Sequence, residues 1–236
     1  KTFADKNFHI LLCLISLKMG IELYSMVMSM PCRAVLMTAK LINVSLDIKP
    51  VDLSKQEQLT NENLIKINPQ KCIPTMNDNG FVLWESRAIM RYLIDKYAEN
   101  NELYPRDVNK RAKIDQLLDF DLGTLDKFQR LFLQPLLFGK PMNREYEANF
   151  RNSLKLLDIF VSNKKFVTSD TLTLADISII ASLSFAEACE FDFSGYVNVV
   201  KWMKRVKEGI ACFDEINKTA MQNFTMLIRE RKKSIK

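Results

Sequence analysis

Residues 67–92 read Ile-Asn-Pro-Gln-Lys-Cys-Ile-Pro-Thr-Met-Asn-Asp-Asn-Gly-Phe-Val-Leu-Trp-Glu-Ser-Arg-Ala-Ile-Met-Arg-Tyr and carry the clearest structural signals of the chain. Pro74 opens a short strand over 75–77, because a missing backbone donor is tolerated at the first residue of a strand. Asn79-Gly80 predicts a tight turn, since both residues accept positive φ angles. Residues 81–84 then return as a second strand. The stretch therefore predicts a β-hairpin.

A helix is predicted directly after this hairpin. Ile89, Tyr92 and Leu93 recur at helical spacing, and Ser86 is a natural N-cap for that helix. The free backbone N–H groups at the start of a helix form a ready site for an anion. The sequence therefore predicts a small ligand that carries a carboxylate.

A second helix start lies earlier in the chain. Residues 21–24 predict a strand and 33–41 a helix, with Pro31 in the first helical turn, where its missing donor is not needed. A hydroxyl beside a helix N-terminus can donate a hydrogen bond to a bound thiolate and favour its charge. A free thiol has a pKa of about 8.5, so lowering that pKa is a catalytic task. This strand, loop and helix resemble the thioredoxin-like fold, and the resemblance implies thiol chemistry in which Ser29 is the first candidate for this hydroxyl and Ser25 the second.

The hairpin and the helix after it resemble the glutathione-binding half of cytosolic glutathione transferases, through Ile-Pro, the hairpin and Trp-Glu-Ser-Arg-Ala-Ile. The resemblance implies a thioredoxin-like α/β domain followed by an all-helical domain. It implies that Pro74 is cis and that the backbone of Ile73 pairs with the cysteinyl part of glutathione. It also implies that Glu85 and Ser86 hold the γ-glutamyl end, with Arg87 beside them.

The first helix region is similar to that of insect delta and epsilon transferases, whose catalytic serine stands two residues before a proline; the matching residues are Tyr24, Ser29, Pro31, Cys32 and Arg33. The resemblance implies that Ser29 is the catalytic serine. Cys32 follows the proline and Cys72 precedes Ile73, and we interpret both as buried, inert thiols rather than reactive ones. Cys72 is still placed next to the predicted glutathione.

Two departures from that family concern glutathione affinity. Lys71 stands where delta and epsilon enzymes usually have a histidine for the glycyl carboxylate, and no histidine occurs upstream near Gln58 or Leu59. Lysine can still attract a carboxylate as a flexible point charge. We therefore expect altered glutathione affinity rather than lost binding, with Gln58 and Lys71 among the glutathione contacts.

Composition is that of a globular protein. The chain has 236 residues, 47% of them hydrophobic and 26% charged, with a formal net charge of +6. Its five cysteines are odd in number, and none has Cys-x-x-Cys or metal-ligand spacing, which indicates free thiols and a reducing, cytoplasmic compartment. We expect no metal, no nucleic-acid partner and no membrane partner. The basic end, 229–236, is interpreted as a solvated tail.

The first eighteen residues differ from the rest of the chain. Their apolar run, 8–17, is too short to span a bilayer, and no clean signal-peptide cleavage site follows it. We interpret residues 1–18 as an extension or upstream translation outside the fold, with Met19 as the initiator. The chain's one histidine is His9, so a protein starting at Met19 has no histidine-based catalysis.

The second half of the chain reads as helices. Residues 19–98 form the predicted glutathione-binding domain, 99–105 the linker and 106–236 the all-helical domain. An apolar stripe over 114–132 predicts a helical run that ends at Pro135, and a further helix is predicted over 144–161. A Thr-x-x-Asp capping box, Thr173 to Asp176, precedes another helix, which is apolar almost all round. The apolar residues of these helices are expected to fill the core of the helical domain.

The electrophile is expected between the two domains, at an apolar lining. Candidate lining residues are Met28, Met30, Asp126, Arg130 and Phe213. Asp126 and Arg130 stand where delta enzymes have aromatic or apolar residues, so we expect substrates that are more polar or more acidic than usual.

The resulting prediction is a detoxifying glutathione transferase, homodimeric and cytoplasmic, that conjugates the glutathione thiolate to hydrophobic or partly polar electrophiles. Glutathione is its co-substrate. The alternative is a carrier of the same fold that binds glutathione or other ligands without turnover. A module of a translation or scaffold complex is a third reading, motivated only by the basic tail.

Overall fold

The computed structural model describes residues 20–234, except for the side chain of Ser234. Its first half alternates strands and helices. The strands are β1 (Ile21–Ser25), β2 (Leu46–Pro50), β3 (Thr75–Asp78) and β4 (Phe81–Trp84), and the helices are α1 (Met30–Leu41), α2 (Glu57–Thr60), α3 (Glu62–Ile67) and α4 (Ser86–Tyr97). A 3-10 turn, Leu53–Lys55, precedes α2.

The four strands form one mixed sheet in the order β2-β1-β3-β4. β1 and β2 are parallel, whereas β3 is antiparallel to both β1 and β4. Asn79 and Gly80 form the tight turn between β3 and β4, both with positive φ. The hairpin predicted from the sequence is thus confirmed, as is the α/β character of this half.

The second half is helical. Its helices are α5 (Val108–Phe120), α6 (Asp126–Leu133), α7 (Glu147–Phe160), α8 (Leu174–Ala188), α9 (Val197–Gly209) and α10 (Phe213–Ser234). A π-helical segment, Asp121–Leu125, joins α5 to α6, and 3-10 turns cover Gln134–Phe138 and Arg144–Tyr146. Every residue of α8 except Glu187 is buried, as its all-round apolar sequence predicts.

One continuous apolar core joins the two halves. It extends from Leu23 and Val35 in the sheet half to Ile180 and Trp202 in the helical half. Arg33 in α1 is fully buried, and its guanidinium donates to Asn217 Oδ1 at 2.7 Å and to Ser184 Oγ at 2.9 Å. These bonds tie α1 to α8 and α10, and so set the relative position of the two halves.

Three local predictions need correction. Ser86 is the first residue of α4 rather than its N-cap, which is Glu85 at φ 70°. Helix α1 begins at Met30 rather than at 33. The alternation of Val44, Leu46 and Ile48 predicts a strand over 44–51, but strand β2 covers only 46–50. The α-helical run ends at Leu133, just before Pro135, as predicted, and Pro135 lies in the first turn of the 3-10 helix that follows. The interpretation of residues 1–18, His9 included, lies outside the described residues.

Candidate functional site

A narrow crevice lies where the sheet half meets the helical half. Helices α1, α4, α6 and α8 all contribute to its walls, which are formed by Met30, Pro31, Ala34, Ser86, Arg87, Asp126, Ser178, Ala181 and Ser182. Both helix starts that the sequence singled out are therefore at or beside this crevice, although they are more than fifty residues apart in the chain.

Ser29 is the N-cap residue of α1. It adopts an extended backbone, φ −73° and ψ 118°, but its hydroxyl makes no capping hydrogen bond. Its side chain is half-buried, whereas Ser25 at the end of β1 is buried. The hydroxyl of Ser29 therefore lies at the positive end of a helix dipole without being used to cap the helix.

Cys32, in the first turn of α1, is fully buried. Burial raises the pKa of its thiol, and hydrogen bonding with the hydroxyls of Ser29 and Ser25 opposes that rise. A buried thiol of raised pKa is a poor nucleophile. The interpretation of Cys32 as an inert thiol agrees with this environment.

The turn before β3 is held by one buried amide, that of Asn68. Its Nδ2 donates to Thr75 Oγ1 at 2.7 Å and to the carbonyl of Cys72 at 3.3 Å, and the Thr75 hydroxyl donates to that same carbonyl. The peptide bond between Ile73 and Pro74 is cis, as the family resemblance implied.

The side chains before that proline differ in exposure. Lys71 is exposed and adopts a positive φ of 52°. Cys72 is half-buried, and its thiol donates to Gln70 Oε1 at 3.8 Å. Gln58 is half-buried in α2, and its Oε1 is buried without a hydrogen-bond partner among the described residues.

Charged side chains lie at the start of α4, beside the crevice. Glu85 is exposed, whereas Ser86 and Arg87 are buried. The Arg87 guanidinium makes an ion pair with the carboxylate of Asp121, which also accepts a hydrogen bond from Ser178 Oγ at 2.5 Å. This network connects α4, the π-helical segment and α8 at the domain boundary.

Asp121 and Ser178 were not identified from the sequence. A signal for Asp121 exists: it lies midway between Leu117 and Leu125 at spacings of four residues, on the apolar stripe of its helix. A carboxylate on a core-facing stripe is buried and needs a partner. The identity of that partner, Arg87, depends on packing between distant segments.

Asp126 is the second acid of the crevice. Burial, and then the neighbouring Asp121 carboxylate, raise its pKa to about 6, although Arg130 and Arg87 act in the opposite direction. Arg130 Nη2 lies 3.0 Å from Asp126 Oδ2 and is itself largely exposed. The crevice therefore holds a carboxyl group that changes charge near neutral pH.

The other predicted electrophile contacts are dispersed. Met30 lines the crevice, and Met28 is half-buried against the core. Arg130 and Phe213 are not among the lining residues: Arg130 points to solvent, and Phe213 is buried at the start of α10, where its carbonyl accepts from Asn217.

Within residues 20–234, no group of three or more histidine, cysteine, aspartate or glutamate side chains is arranged to hold a metal ion. Over the same range, no helix is both long and apolar enough to cross a bilayer.

Comparison with known proteins identifies the family. Residues 19–95 match the model of the glutathione S-transferase N-terminal domain, and residues 121–208 match that of the C-terminal domain. The chain therefore belongs to the glutathione S-transferase family, and its fold is a thioredoxin-like domain followed by a helical domain.

Solved structures of insect enzymes are similar over most of the chain. A delta-class glutathione transferase of Nilaparvata lugens is 41% identical with a TM-score of 0.85, covering 90% of this chain and 100% of that one. Glutathione S-transferase unclassified 2 of Bombyx mori is 36% identical, with a TM-score of 0.83 and coverage of 90% and 98%. An epsilon-class enzyme of the housefly Musca domestica is 32% identical, with a TM-score of 0.82 and coverage of 90% and 98%. The resemblance to delta and epsilon transferases is confirmed.

Proposed function

We propose that this protein is a glutathione transferase of the serine type. In the proposed reaction the glutathione thiol loses its proton to solvent water, the thiolate sulfur forms a bond to an electrophilic carbon, and a leaving group departs from that carbon with its electron pair. The observation that carries this proposal is the hydroxyl of Ser29, which stands at the start of α1 without a capping bond. It can therefore donate to a thiolate, and the helix dipole favours the same charge.

Glutathione would lie across the turn before β3 and the start of α4. The γ-glutamyl carboxylate fits the free N–H groups of α4 at Ser86, and the charge of Arg87 supports it. The exposed Glu85 is placed to accept the ammonium group, and the backbone of Ile73 would pair with the cysteinyl part. Pro74 and Cys72 complete this wall.

The glycyl carboxylate would lie on the outer side of this site. Lys71 is exposed and can approach that carboxylate as a point charge. Gln58 is the second candidate, since its side chain has an unused polar atom. Each of these contacts binds a carboxylate more weakly than a bidentate pair of hydrogen bonds would. This supports the expectation of altered glutathione affinity.

The electrophile would contact Met28, Met30 and Asp126. Methionine side chains adapt to ligands of varied shape. The Asp126 carboxyl adds an ionisable group to a wall that contains several small side chains. Arg130 acts on the electrophile site through its ion pair with Asp126. We therefore propose partly polar electrophiles as substrates.

The test is steady-state conjugation of glutathione to chlorodinitrobenzene by the wild type, Ser29→Ala and Ser25→Ala. Loss of one thiolate donor is expected to reduce kcat about 10²-fold in Ser29→Ala, with the melting temperature unchanged. Ser25→Ala serves as the matched control and is expected to keep its rate within a few-fold. A large loss in Ser25→Ala alone would transfer the role to that serine.

The second candidate function is a glutathione carrier without turnover. Lys71 in place of histidine and the buried acid Asp126 favour it. Retention on immobilised glutathione together with no conjugation of any electrophile tested would select the carrier. A measurable rate above the uncatalysed reaction would exclude it.

Assembly and location complete the proposal. We propose a homodimer with α4 near the two-fold axis, as family membership implies. We also propose a cytoplasmic location, because all four cysteines in the described range are free thiols. The domain limits 19–98 and 106–236, with a linker at 99–105, are part of the same proposal.

A further inference from the structure

A second cleft lies in the helical half. It has a volume of about 370 Å³ and is formed by the end of α7, the loop that follows it and the outer face of α9. Its lining consists of Val161, Ser162, Lys164, Lys165, Asn198, Lys201 and Arg205. None of these residues belongs to the crevice that holds Arg87 and Asp126.

The lining carries four positive charges and no acidic side chain. None of the four cations is paired with a carboxylate in the described part of the chain. The neighbouring lysines of α9 behave differently: Lys204 lies 3.9 Å from Glu208, and Lys207 lies 2.5 Å from Glu187. Four cations facing one cleft repel one another, so a bound anion would relieve that repulsion.

Arg205 is held in position before any ligand binds. Its Nε donates to the carbonyl of Lys165 at 3.0 Å, and its Nη2 lies 3.4 Å from the carbonyl of Lys164. These bonds fix the guanidinium and bring both lysines of the loop to the face of α9. A fixed guanidinium loses little conformational entropy when it binds an anion.

The Asp170 carboxylate accepts from the backbone N–H of Lys165 at 3.2 Å, and the Asp158 carboxylate also approaches the lining. It accepts from the backbone N–H groups of Asn198 and Val199 at 2.8 and 2.9 Å, and from Asn198 Nδ2 at 2.9 Å. The backbone N–H groups at the N-terminus of α9 therefore stabilise the negative charge of Asp158. Among the described residues, neither carboxylate forms an ion pair with a lysine of the lining.

We propose that this cleft binds a phosphate-bearing ligand through Lys164, Lys165, Lys201 and Arg205. A single carboxylate would balance one of the four charges, whereas a diphosphate carries several negative charges on oxygens that accept from both lysine and arginine. A volume of about 370 Å³ accommodates a diphosphate group with a small organic part. This binding is independent of the glutathione site.

The test is titration calorimetry of inorganic pyrophosphate into the full chain at low salt. The Lys164→Gln/Lys201→Gln variant removes two lining charges and leaves the bonds of Arg205 in place. The control, Lys204→Gln/Lys218→Gln, removes the same net charge from exposed lysines outside the cleft. We expect Kd to rise at least tenfold in the cleft variant and to stay within twofold of the wild type in the control.

Binding of pyrophosphate is also expected to weaken as salt rises, because the sites are partly exposed. A parallel arm uses vesicles of phosphatidylcholine with and without a phosphoinositide. Pyrophosphate binding that depends on the cleft indicates a free phosphate ligand, whereas cleft-dependent binding to phosphoinositide vesicles alone indicates a lipid headgroup. The proposal is overturned if neither probe binds, or if both variants lose affinity equally while their melting temperatures match the wild type.

Discussion

At the scale of single residues, the crevice concentrates buried charge. Arg87, Asp121 and Asp126 lie together at the domain boundary. Arg87 Nε and Asp121 Oδ1 are buried without a hydrogen-bond partner among the described residues. Buried polar atoms without partners cost free energy. A site of this kind favours bound polar groups that supply the missing hydrogen bonds.

Asp126 gives the crevice a dependence on pH. The pKa of an aspartate in an unfolded chain is about 3.9, and in the fold that of Asp126 is raised to about 6. The folded state therefore disfavours the ionised form. The cost of ionisation is absent below about pH 4, grows between pH 4 and 6 and is complete above it, where two pKa units correspond to about 3 kcal/mol.

Replacement of Asp126 by asparagine removes this cost. We expect Asp126→Asn to be about 1–3 kcal/mol more stable than the wild type at pH 7.5 and equally stable near pH 4, since the lost pair with the exposed Arg130 contributes little. Urea unfolding at the two pH values measures this difference. Asp119→Asn, an exposed carboxylate on α5, is the control. Equal stability of Asp126→Asn and wild type at pH 7.5 would contradict the raised pKa.

At the scale of elements, one carboxylate organises the start of α8. Asp176 accepts from the backbone N–H and hydroxyl of Thr173 at 3.0 and 2.9 Å, from the N–H of Val167 at 2.8 Å and from Trp202 Nε1 at 2.9 Å. The capping box predicted from the sequence is present. Its acid also connects α8 to α9 and to the preceding loop.

Removal of this acid leaves buried donors without an acceptor. We expect Asp176→Ala to lower stability by about 3–5 kcal/mol, which corresponds to a melting temperature about 10 °C lower for a chain of this size. Calorimetry or circular dichroism measures the shift. Asp170→Ala in the neighbouring exposed turn, where one backbone N–H is accepted at 3.2 Å, is expected to change it by less than about 3 °C. Comparable losses in the two variants would refute a special role for Asp176.

At the scale of the whole molecule, Arg33 couples the two halves. Its burial lowers the pKa of its guanidinium to about 10, so it still carries its charge at neutral pH. Its acceptors, Asn217 and Ser184, belong to the helical half. A buried charge that has lost its acceptor is strongly destabilising, and this one spans the domain boundary.

The Asn217→Ala variant tests this coupling. We expect a loss of about 2–3 kcal/mol, because the Arg33 guanidinium loses one of its two acceptors. Urea unfolding followed both by circular dichroism and by tryptophan fluorescence shows whether the halves still unfold together. Asn223→Ala, exposed on the same helix, is the control and is expected to stay within about 0.5 kcal/mol of wild type. An unchanged midpoint in Asn217→Ala would show that the halves are held by apolar packing alone.

The candidate site was predictable from the sequence only where its signals are local. The Asn79-Gly80 turn, the cis bond before Pro74 and the start of α4 follow from residues adjacent in the chain or from the family motif they form. The electrophile wall was less predictable. Asp126 lines the crevice, whereas Phe213, another candidate wall residue, is buried at the start of α10.

The local sequence alone is therefore sufficient for the hairpin, for the presence of the helices after β1 and β4 to within a few residues of their starts, for the capping box and for membership of the glutathione transferase family. Each depends on backbone preferences within a few residues or on a motif that is continuous in the chain. The pairing of Arg87 with Asp121 and the hydrogen bond from Ser178 join residues 34 and 57 positions apart. The raised pKa of Asp126 and the unpaired charges beside Arg205 likewise depend on which side chains packing brings together. Only the tertiary structure decides these, because burial and charge pairing are properties of three-dimensional neighbours.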